Sequence, residues 1–215
     1  MSLAELFADS DARDALATRI SGVVAAVVTN NEDPDGLGRV KVKFPWLSDD
    51  HESHWARVAA PMAGKKRGVY FLPEVEDEVL VAFEQGDLRF PYVVGGLWNG
   101  KDAPPADNAD GKNNVRLIQS RSGHVIRLND EDGKETVEIV DKSGKNRLVV
   151  DTAKNTITIT SDQDITLSAT KGTITLDAKE IAVKSSGATK VESGSGLDVK
   201  ASGTLTLKGS TVDIN

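Results

Sequence analysis

The sequence predicts an all-β protein with a compact head and a fibrous tail. Pairs of aliphatic residues of the form apolar-x-apolar recur through residues 136–215, and from Ile157 onward they start at intervals of seven to nine residues. All ten aromatic residues lie at or before Trp98, and all seven prolines lie at or before Pro105. Residues 151–215 contain neither type, and 20 of these 65 residues are Ser or Thr. Large apolar groups are therefore confined to the head.

The tail repeat has a period close to eight residues. In an extended chain, residues i and i+2 point to the same side, so each aliphatic pair forms the apolar side of one short strand. The residues between pairs are mainly Ser, Thr, Gly, Asp and Lys, which favour turns and contact with water. Burying two aliphatic side chains gives less free energy than ordering eight residues requires. Each repeat must therefore stack on neighbouring strands that cover its apolar side.

Two architectures are consistent with this repeat. Three repeats could form one triangular turn of a single-chain β-helix, or three chains could wind together into a β-prism. The single-chain form would have only about three turns and no obvious capping segment, which favours three chains although the period fits both. In either form the aliphatic pairs make the core of the tail. The predicted core residues are Ile157, Ile159, Ile165, Leu167, Ile174, Leu176, Ile181, Val183, Leu197, Val199, Leu205 and Leu207.

Composition narrows the classes of function. The formal net charge is −7, and residues 151–215 hold 7 Lys and 8 Asp or Glu, so most of the negative charge lies earlier in the chain. No basic stripe of the kind that binds nucleic acid occurs, and we expect no nucleic-acid partner. The absence of cysteine excludes disulfides and thiolate metal sites. The sequence has no signal-peptide pattern and no membrane-spanning apolar run, so we expect assembly in the cytoplasm without a signal peptide.

The first hundred residues divide into two parts. Residues 1–19 place Leu3, Leu6 and Phe7 on one side of a possible short helix, which either forms alone or docks on a partner. Short strand-like segments separated by turn residues follow, and they predict a small all-β barrel or sandwich. The predicted strands are residues 20–29, 38–46, 55–60, 69–72, 78–84 and 92–98.

Little in the sequence suggests catalysis or metal binding. Residues 31–36 match the first half of a calcium loop, but Val42 stands where such a loop needs a bidentate Glu, which favours a polar turn. His51 and His54 have no third His or Cys near them in the sequence, which favours a solvated connection. No nucleophile-elbow, zinc-peptidase or phosphate-loop motif occurs. We therefore predict no catalytic residue, no cofactor and no metal site.

Several motifs of the head occur in an order typical of one protein family. They are Gly38-Arg-Val-Lys-Val-Lys-Phe-Pro-Trp46, Trp55-Ala-Arg-Val-Ala-Ala-Pro61, Gly68-Val-Tyr-Phe-Leu-Pro-Glu74, Asp77-Glu-Val-Leu-Val-Ala-Phe83, Gly86-Asp87 and Gly95-Gly-Leu-Trp-Asn-Gly100, followed by Ser120-Arg-Ser-Gly-His124 and Asp130-Glu-Asp-Gly133. Together they resemble the oligonucleotide/oligosaccharide-binding (OB) barrel of contractile-tail spikes, the family of phage baseplate assembly protein V and valine-glycine repeat protein G. The resemblance extends over residues 20–215. Glu76 departs from it, since the family usually has Gly before Asp-Glu-Val.

The resemblance implies a homotrimer. Three OB barrels would form a collar, and three tails would intertwine into a triple-stranded β-helix, or β-prism, that punctures a membrane. The implied domains are an N-terminal segment at 1–19, an OB barrel at 20–99, a neck at 100–114 and a trimeric spike at 115–215. The implied partners are a baseplate hub protein at the barrel end and, transiently, the target membrane.

These features predict a structural protein, the central spike of a contractile injection particle such as a phage tail baseplate or a type VI-like system. One alternative is a carbohydrate-binding or carbohydrate-active β-solenoid, but the tail has no aromatic, Arg or His residue after Arg147 to line a sugar groove. The other alternative is an OB-fold binder of single-stranded nucleic acid. That function needs exposed aromatic residues in a basic groove, which the acidic excess of the head opposes.

The last strand of the sequence predicts a partner at the tip. Related short phage spikes often end in a metal-binding His-x-His element, whereas here no His follows His124. Three strands carrying Val212 and Ile214 would present unpaired backbone groups and a small apolar disc. We therefore expect a small conical cap resembling the proline-alanine-alanine-arginine (PAAR) repeat proteins. Its predicted contacts are Thr211, Val212, Asp213, Ile214 and Asn215.

Overall fold

The structure is a computed structural model that describes residues 19–47 and 51–214. The chain divides into two compact units, Met1–Asp162 and Gln163–Asn215. The predicted N-terminal docking segment lies outside the described residues except for Arg19. The division between the units falls inside the region predicted as spike, because the first part of that region forms a sheet within the first unit.

The regular structure of the described residues is β, apart from one 3-10 turn at Glu84–Gly86. Strands β1, β2, β3, β6 and β7 form the head sheet, β4 and β5 form a separate hairpin, and β8 to β12 form a second sheet. The strands are β1 (Val23–Asn30), β2 (Lys41–Lys43), β3 (Arg57–Val58), β4 (Ala63–Gly64), β5 (Arg67–Gly68), β6 (Glu78–Phe83), β7 (Pro91–Gly96), β8 (Val115–Gln119), β9 (Val125–Asn129), β10 (Thr136–Val140), β11 (Arg147–Asp151) and β12 (Thr156–Thr160).

The head sheet has the order β2-β1-β6-β7-β3, with antiparallel pairs except between β3 and β7. Strand β6 shows why this sequence forms a strand. Its residues alternate between half-buried and buried, and Val79, Val81 and Phe83 face the core. A period of two places every second side chain on one face, and the burial of that face then fixes the register. The core comprises Ala26, Val28, Val40, Val42, Phe44, Ala56, Val79, Val81, Phe83 and Val93.

Most of the predicted head strands are confirmed with shifted ends. Strands β1, β6 and β7 lie close to the ranges predicted for them. The strands predicted at 38–46 and 55–60 are shorter: only β2, which pairs with β1, and β3, which pairs with β7, form there. Two isolated bridges, Val40 with Ala56 and Lys43 with Glu52, add to them. At the end of β2 the reason is local, because Pro45 lacks a backbone N–H and cannot continue the ladder.

The strand predicted at 69–72 is wrong. That segment has no ladder partner, and Tyr70 and Phe71 are exposed rather than packed. Pro73 follows directly and has no N–H to donate. The chain instead forms the β4–β5 hairpin just before this segment, closed by the Val69 N–H, which donates to the Met62 carbonyl at 3.0 Å.

A polar loop, residues 31–39, joins β1 to β2 and is organised by Asp33. The Asp33 carboxylate accepts hydrogen bonds from the backbone N–H groups of Asp35, Leu37 and Arg39. It also accepts from the Arg39 guanidinium, with Nη2 to Oδ1 at 2.6 Å and Nε to Oδ2 at 2.9 Å. Both carboxylate oxygens are therefore engaged within the protein, which is the geometry of the predicted polar turn.

We expect Asp33→Asn to lower the midpoint temperature of thermal unfolding. The difference in midpoint between this variant and the parent chain should become smaller in acid. The Arg39 guanidinium and the backbone donors hold the pKa of Asp33 well below its usual value. A carboxylate whose pKa falls on folding stabilises the fold above its unfolded pKa, about 3.9, and this stabilisation is lost as the pH falls further. Circular dichroism melts at about pH 7, 5 and 3 measure the difference. Asp35→Asn, at a more exposed carboxylate, is the control, and equal midpoints for all three chains would contradict the prediction.

The second sheet is an antiparallel meander in the order β12-β11-β10-β9-β8. The turn between β10 and β11 is fixed by Asp141, whose carboxylate accepts hydrogen bonds from the Ser143 hydroxyl and from the backbone and side-chain N–H groups of Asn146. These donors lower the pKa of Asp141 to about 2. Gly144 has φ +72°, a conformation that side chains other than glycine rarely adopt. A turn of defined geometry sets the register of the two strands that it joins.

The second unit contains no strand in its described residues, 163–214. The predicted alternation of strand and corner is thus realised within one chain only up to β12. Backbone hydrogen bonds in this unit are local, such as that from the Gly172 N–H to the Ala169 carbonyl at 3.4 Å. Extended segments need a neighbouring strand to satisfy their backbone groups. Residues 163–214 do not supply one another with such a neighbour.

Candidate assembly interface

One side of the β8–β12 sheet is almost entirely aliphatic, and we call it the apolar face. Directly opposite residues of antiparallel strands project to the same side of a sheet, as do residues i and i+2 of one strand. The strand registers therefore place nine aliphatic side chains together with one charged residue, Arg116. The aliphatic residues are Ile118, Ile126, Leu128, Val137, Ile139, Leu148, Val150, Ile157 and Ile159.

Two parallel rows build the apolar face. Each row takes one residue from every strand, and the two rows lie two residues apart along each strand. The first row is Ile118, Ile126, Ile139, Leu148 and Ile159, and the second is Arg116, Leu128, Val137, Val150 and Ile157. Because the rows are adjacent, their side chains form one continuous surface.

Most of this surface is open to solvent in the single chain. Ile139, on the central strand, has an exposed fraction of 52%, and Ile157 reaches 72%. Leu148 and Val150 are half-buried. Ile, Leu and Val are among the residue types most often fully buried in folded proteins, and a contiguous exposed patch of them marks an interaction site. The apolar face is therefore an incomplete core.

The charged groups of this sheet lie at its edges or on its other side. Arg127 and Glu138 stand opposite each other on the other side and form an ion pair, with Arg127 Nε to Glu138 Oε2 at 2.9 Å. Arg116 lies on the edge strand β8 and pairs with Asp130. The middle of the apolar face thus presents no charge or catalytic group, and its chemistry suits an apolar protein surface.

The structure places the predicted tail core residues in two settings. Ile157 and Ile159 lie on β12 and belong to the apolar face. The others lie in the second unit and are all exposed in the single chain, with exposed fractions between 52% and 76%. They are Ile165, Leu167, Ile174, Leu176, Ile181, Val183, Leu197, Val199, Leu205 and Leu207.

Sequence reasoning missed part of the apolar face. The predicted core residues begin at Ile157 and omit seven members of the same two rows, which are Ile118, Ile126, Leu128, Val137, Ile139, Leu148 and Val150. A signal was present, because Ile126 and Leu128 form an apolar-x-apolar pair of the kind that recurs in the tail. This pair does not follow the period of about eight residues, so it was not recognised as part of the same apolar surface.

The remaining predicted positions add no chemical site. Thr211 to Ile214 are exposed, Ile214 most of all at 86%, and Asn215 lies outside the described residues. His51 and His54 are exposed between β2 and β3. Residues 19–47 and 51–214 contain no group of three or more His, Asp or Glu that could hold a metal ion. In the same residues, no helix is long and apolar enough to cross a membrane.

Two family models match the chain. Residues 24–98, which include the whole head sheet after its first residue, match the type VI secretion system/phage-baseplate injector OB domain. Residues 121–215, which include β9 to β12 and the tail, match the domain DUF2345, described as an uncharacterised protein conserved in bacteria.

The chain is also similar to named proteins. It is 35% identical over 132 residues to the type VI secretion system spike protein VgrG5 of Pseudomonas aeruginosa, covering 55% of this chain and 17% of the relative. It is 30% identical over 138 residues to the spike protein VgrG3 of Vibrio cholerae, covering 59% and 14%. The actin cross-linking toxin VgrG1 of Vibrio cholerae is 28% identical over 131 residues, covering 55% and 12%. The chain spans less than a fifth of the length of these relatives.

Proposed function

The chain belongs to the family of phage baseplate assembly protein V and VgrG spike proteins, and we propose that it forms the homotrimeric central spike of a contractile injection particle. In this role its OB head binds a hub protein, and its tail pierces the target membrane when the sheath contracts. The match of the head to an injector OB domain and the similarity to named spike proteins support the proposal.

The observation that carries the proposal is the uncovered apolar face. Three copies arranged around one axis bury three such faces against one another, which removes the exposed aliphatic surface from water. The same arrangement gives the tail what the single chain lacks. Each exposed pair, such as Leu205 and Leu207, would turn toward the axis, and strands from neighbouring copies would satisfy its backbone groups.

The proposed mechanism is mechanical rather than catalytic. Backbone ladders that cross between three chains make a rod that resists bending, and each repeat adds a strand spacing of about 4.8 Å along its axis. Such a rod transmits thrust from the head to the tip. We therefore propose that this chain has no enzymatic role. This includes the activity named for the toxin relative, since the match covers only 12% of that protein.

Light scattering tests the trimer. We expect the purified chain to have a mass of three times 22.9 kDa at all workable concentrations, because the apolar face and the tail repeats have no cover in one copy. A small-angle scattering profile should also be that of an elongated particle. A folded, monodisperse monomer would rule out the proposed architecture.

We further propose that residues 211–215 bind a small conical cap protein resembling the PAAR repeat proteins. Val212 and Ile214 are exposed, and this stretch has no imidazole or thiolate group with which to bind a metal. Deleting residues 211–215 should abolish co-purification with such a cap and leave the trimer mass otherwise unchanged. Unaltered capping of the shortened chain, or stoichiometric iron or zinc bound at this end, would contradict the proposal.

A further inference from the structure

A groove in the head has chemistry that the spike role does not use. It lies between the polar loop 31–39 and the β4–β5 hairpin, and we call it the hairpin groove. Its volume is about 860 Å³. The side chains that line it and matter here are Leu37, Met62, Tyr70, Phe71, Lys66 and Arg67.

The apolar part of the hairpin groove is exposed. Leu37, Met62, Tyr70 and Phe71 have exposed fractions of 69%, 50%, 76% and 68%. The two aromatic rings belong to the segment 69–72, which forms no strand. Large apolar side chains held at the rim of one groove mark a surface that binds another chain segment.

The hairpin adds a cluster of positive charge. Lys65, Lys66 and Arg67 are consecutive and exposed at its tip. Within residues 19–47 and 51–214, none of the three forms an ion pair. Of the two carboxylates that line the groove, Asp33 is already neutralised by Arg39 at 2.6 Å, and Glu32 alone is outnumbered by the three hairpin cations. The hairpin groove therefore selects a segment that is both apolar and acidic.

The first eighteen residues of the same chain have that composition. They contain four carboxylates and a single arginine, together with the apolar residues Leu3, Leu6 and Phe7. We propose that this segment, residues 1–18, docks in the hairpin groove of its own chain or of a neighbouring copy. Leu3, Leu6 and Phe7 contact the apolar rim, and the carboxylates lie beside the hairpin cations.

The distances allow this contact within one chain. The segment joins the head at Ile20, whose N–H donates to the Gly86 carbonyl at 3.0 Å. Strand β1 then runs to Asn30, next to the groove, over about 26 Å for its eight residues. Residues 8–18 can span up to about 36 Å when extended. The apolar residues 3–7 can therefore reach the groove from the place where the segment joins the head.

Disulfide trapping tests the docking in the full chain, which has no cysteine of its own. Leu6→Cys is combined with Met62→Cys in the groove, or with Phe90→Cys as the matched control. Met62 and Phe90 have exposed fractions of 50% and 52%, and Phe90 lies beside Arg19, which directly follows the segment. Under mild oxidation we expect the Met62 pair to cross-link about tenfold faster than the Phe90 pair, because bound segments have a high effective concentration at their site.

Non-reducing gels separate the two forms of the docking. A cross-linked band of monomer mass places the segment in the groove of its own chain, and a band of dimer mass places it in the groove of a neighbouring copy. Either result supports the proposal. Equal rates for the Met62 and Phe90 pairs would overturn it, since simple proximity of the tether would then explain any cross-link.

Charge reversal provides a second test. Changing Lys65, Lys66 and Arg67 to Glu should slow cross-linking of the Met62 pair about tenfold, and adding Glu5→Lys, Asp9→Lys and Asp11→Lys should restore it. An unchanged rate would overturn the charge match. If a single-stranded oligothymidylate binds the parent chain at the groove and the Met62 pair gains no rate advantage, the groove binds nucleic acid and the proposal is wrong. Light scattering of the same samples reports the trimer separately, so failure of the docking and failure of the spike proposal are distinguishable.

Discussion

Replacing Ile139 with aspartate should leave the chain unable to assemble. Ile139 lies on the central strand of the second sheet, between Ile126 and Leu148 in the first row of the apolar face. In the proposed trimer, three carboxylates would be enclosed near one axis without partners. Burying an unpaired charge is unfavourable by several kcal/mol or more for each group, which exceeds what the lost aliphatic contacts alone would cost. By light scattering, we expect the mass of three chains for the parent protein and the mass of one chain for the Ile139→Asp variant.

Thr158→Asp is the matched control for this variant. Thr158 lies on β12, an edge strand of the same sheet. It is exposed and stands opposite Val149, on the other side of the sheet from the apolar face. The same charge placed there should leave the mass unchanged. The head should stay folded in both variants, because its core lies in a different sheet. A stable trimer of the Ile139 variant would show that the apolar face is not the interface between copies.

The head was predictable where alternation is strict and one face is enclosed. Burial alternates along strand β6 without interruption: Val79, Val81 and Phe83 reach the core, whereas Leu80 and Ala82, although apolar, lie on the half-buried face. The β4–β5 hairpin was not predicted, because its strands are two residues long and its sequence of Gly and cations reads as a loop. Residues 69–72 were wrongly predicted as a strand, because they are apolar enough for one but have no neighbouring strand with which to pair.

The backbone conformation of Glu76 could not be predicted from residue propensities. Its φ is +78°, a conformation that residues other than glycine adopt only at a cost in free energy. The sequence identified this position as the one where the family usually has Gly, and the structure shows why Gly suits it. The turn is held in place because the Glu76 N–H donates to the Val28 carbonyl at 2.9 Å and the Glu74 N–H donates to Asp77 Oδ2 at 2.8 Å.

The sequence predicts that the candidate interface is aliphatic, but it does not predict which strands build it. An apolar-x-apolar pair states which side of a strand is apolar, and this holds for Ile157 and Ile159. It does not state which strands lie beside it, because register depends on turns such as the one fixed by Asp141. The members of the apolar face that the predicted core omits, from Ile118 to Val150, are placed beside Ile157 and Ile159 only by the observed pairing. In the tail, the period predicts the pairs, but it does not state which strands would lie beside them.

A charge placed on the apolar side of the tail repeat should also have a large effect on assembly. Leu205 and Thr206 are adjacent and both exposed in the single chain, so the structure of one copy does not distinguish them. The repeat does: Leu205 and Leu207 point to one side, which in the proposed β-prism is the axis, and Thr206 points to water. Leu205→Asp would place three carboxylates around that axis, unfavourable by several kcal/mol each. Thr206→Asp adds the same charge to the outside.

We therefore expect Leu205→Asp to fray the distal tail and Thr206→Asp to be nearly silent. Limited proteolysis should cut the Leu205 variant within the last repeats and leave the Thr206 variant and the parent intact, because opened strands expose their backbone to protease. Thermal unfolding should give a lower midpoint for the Leu205 variant alone. The mass by light scattering separates fraying from dissociation, since the β8–β12 sheet is unaltered in both chains. Equal protease resistance and equal midpoints would mean that Leu205 does not face the axis and that the register proposed for the tail is wrong.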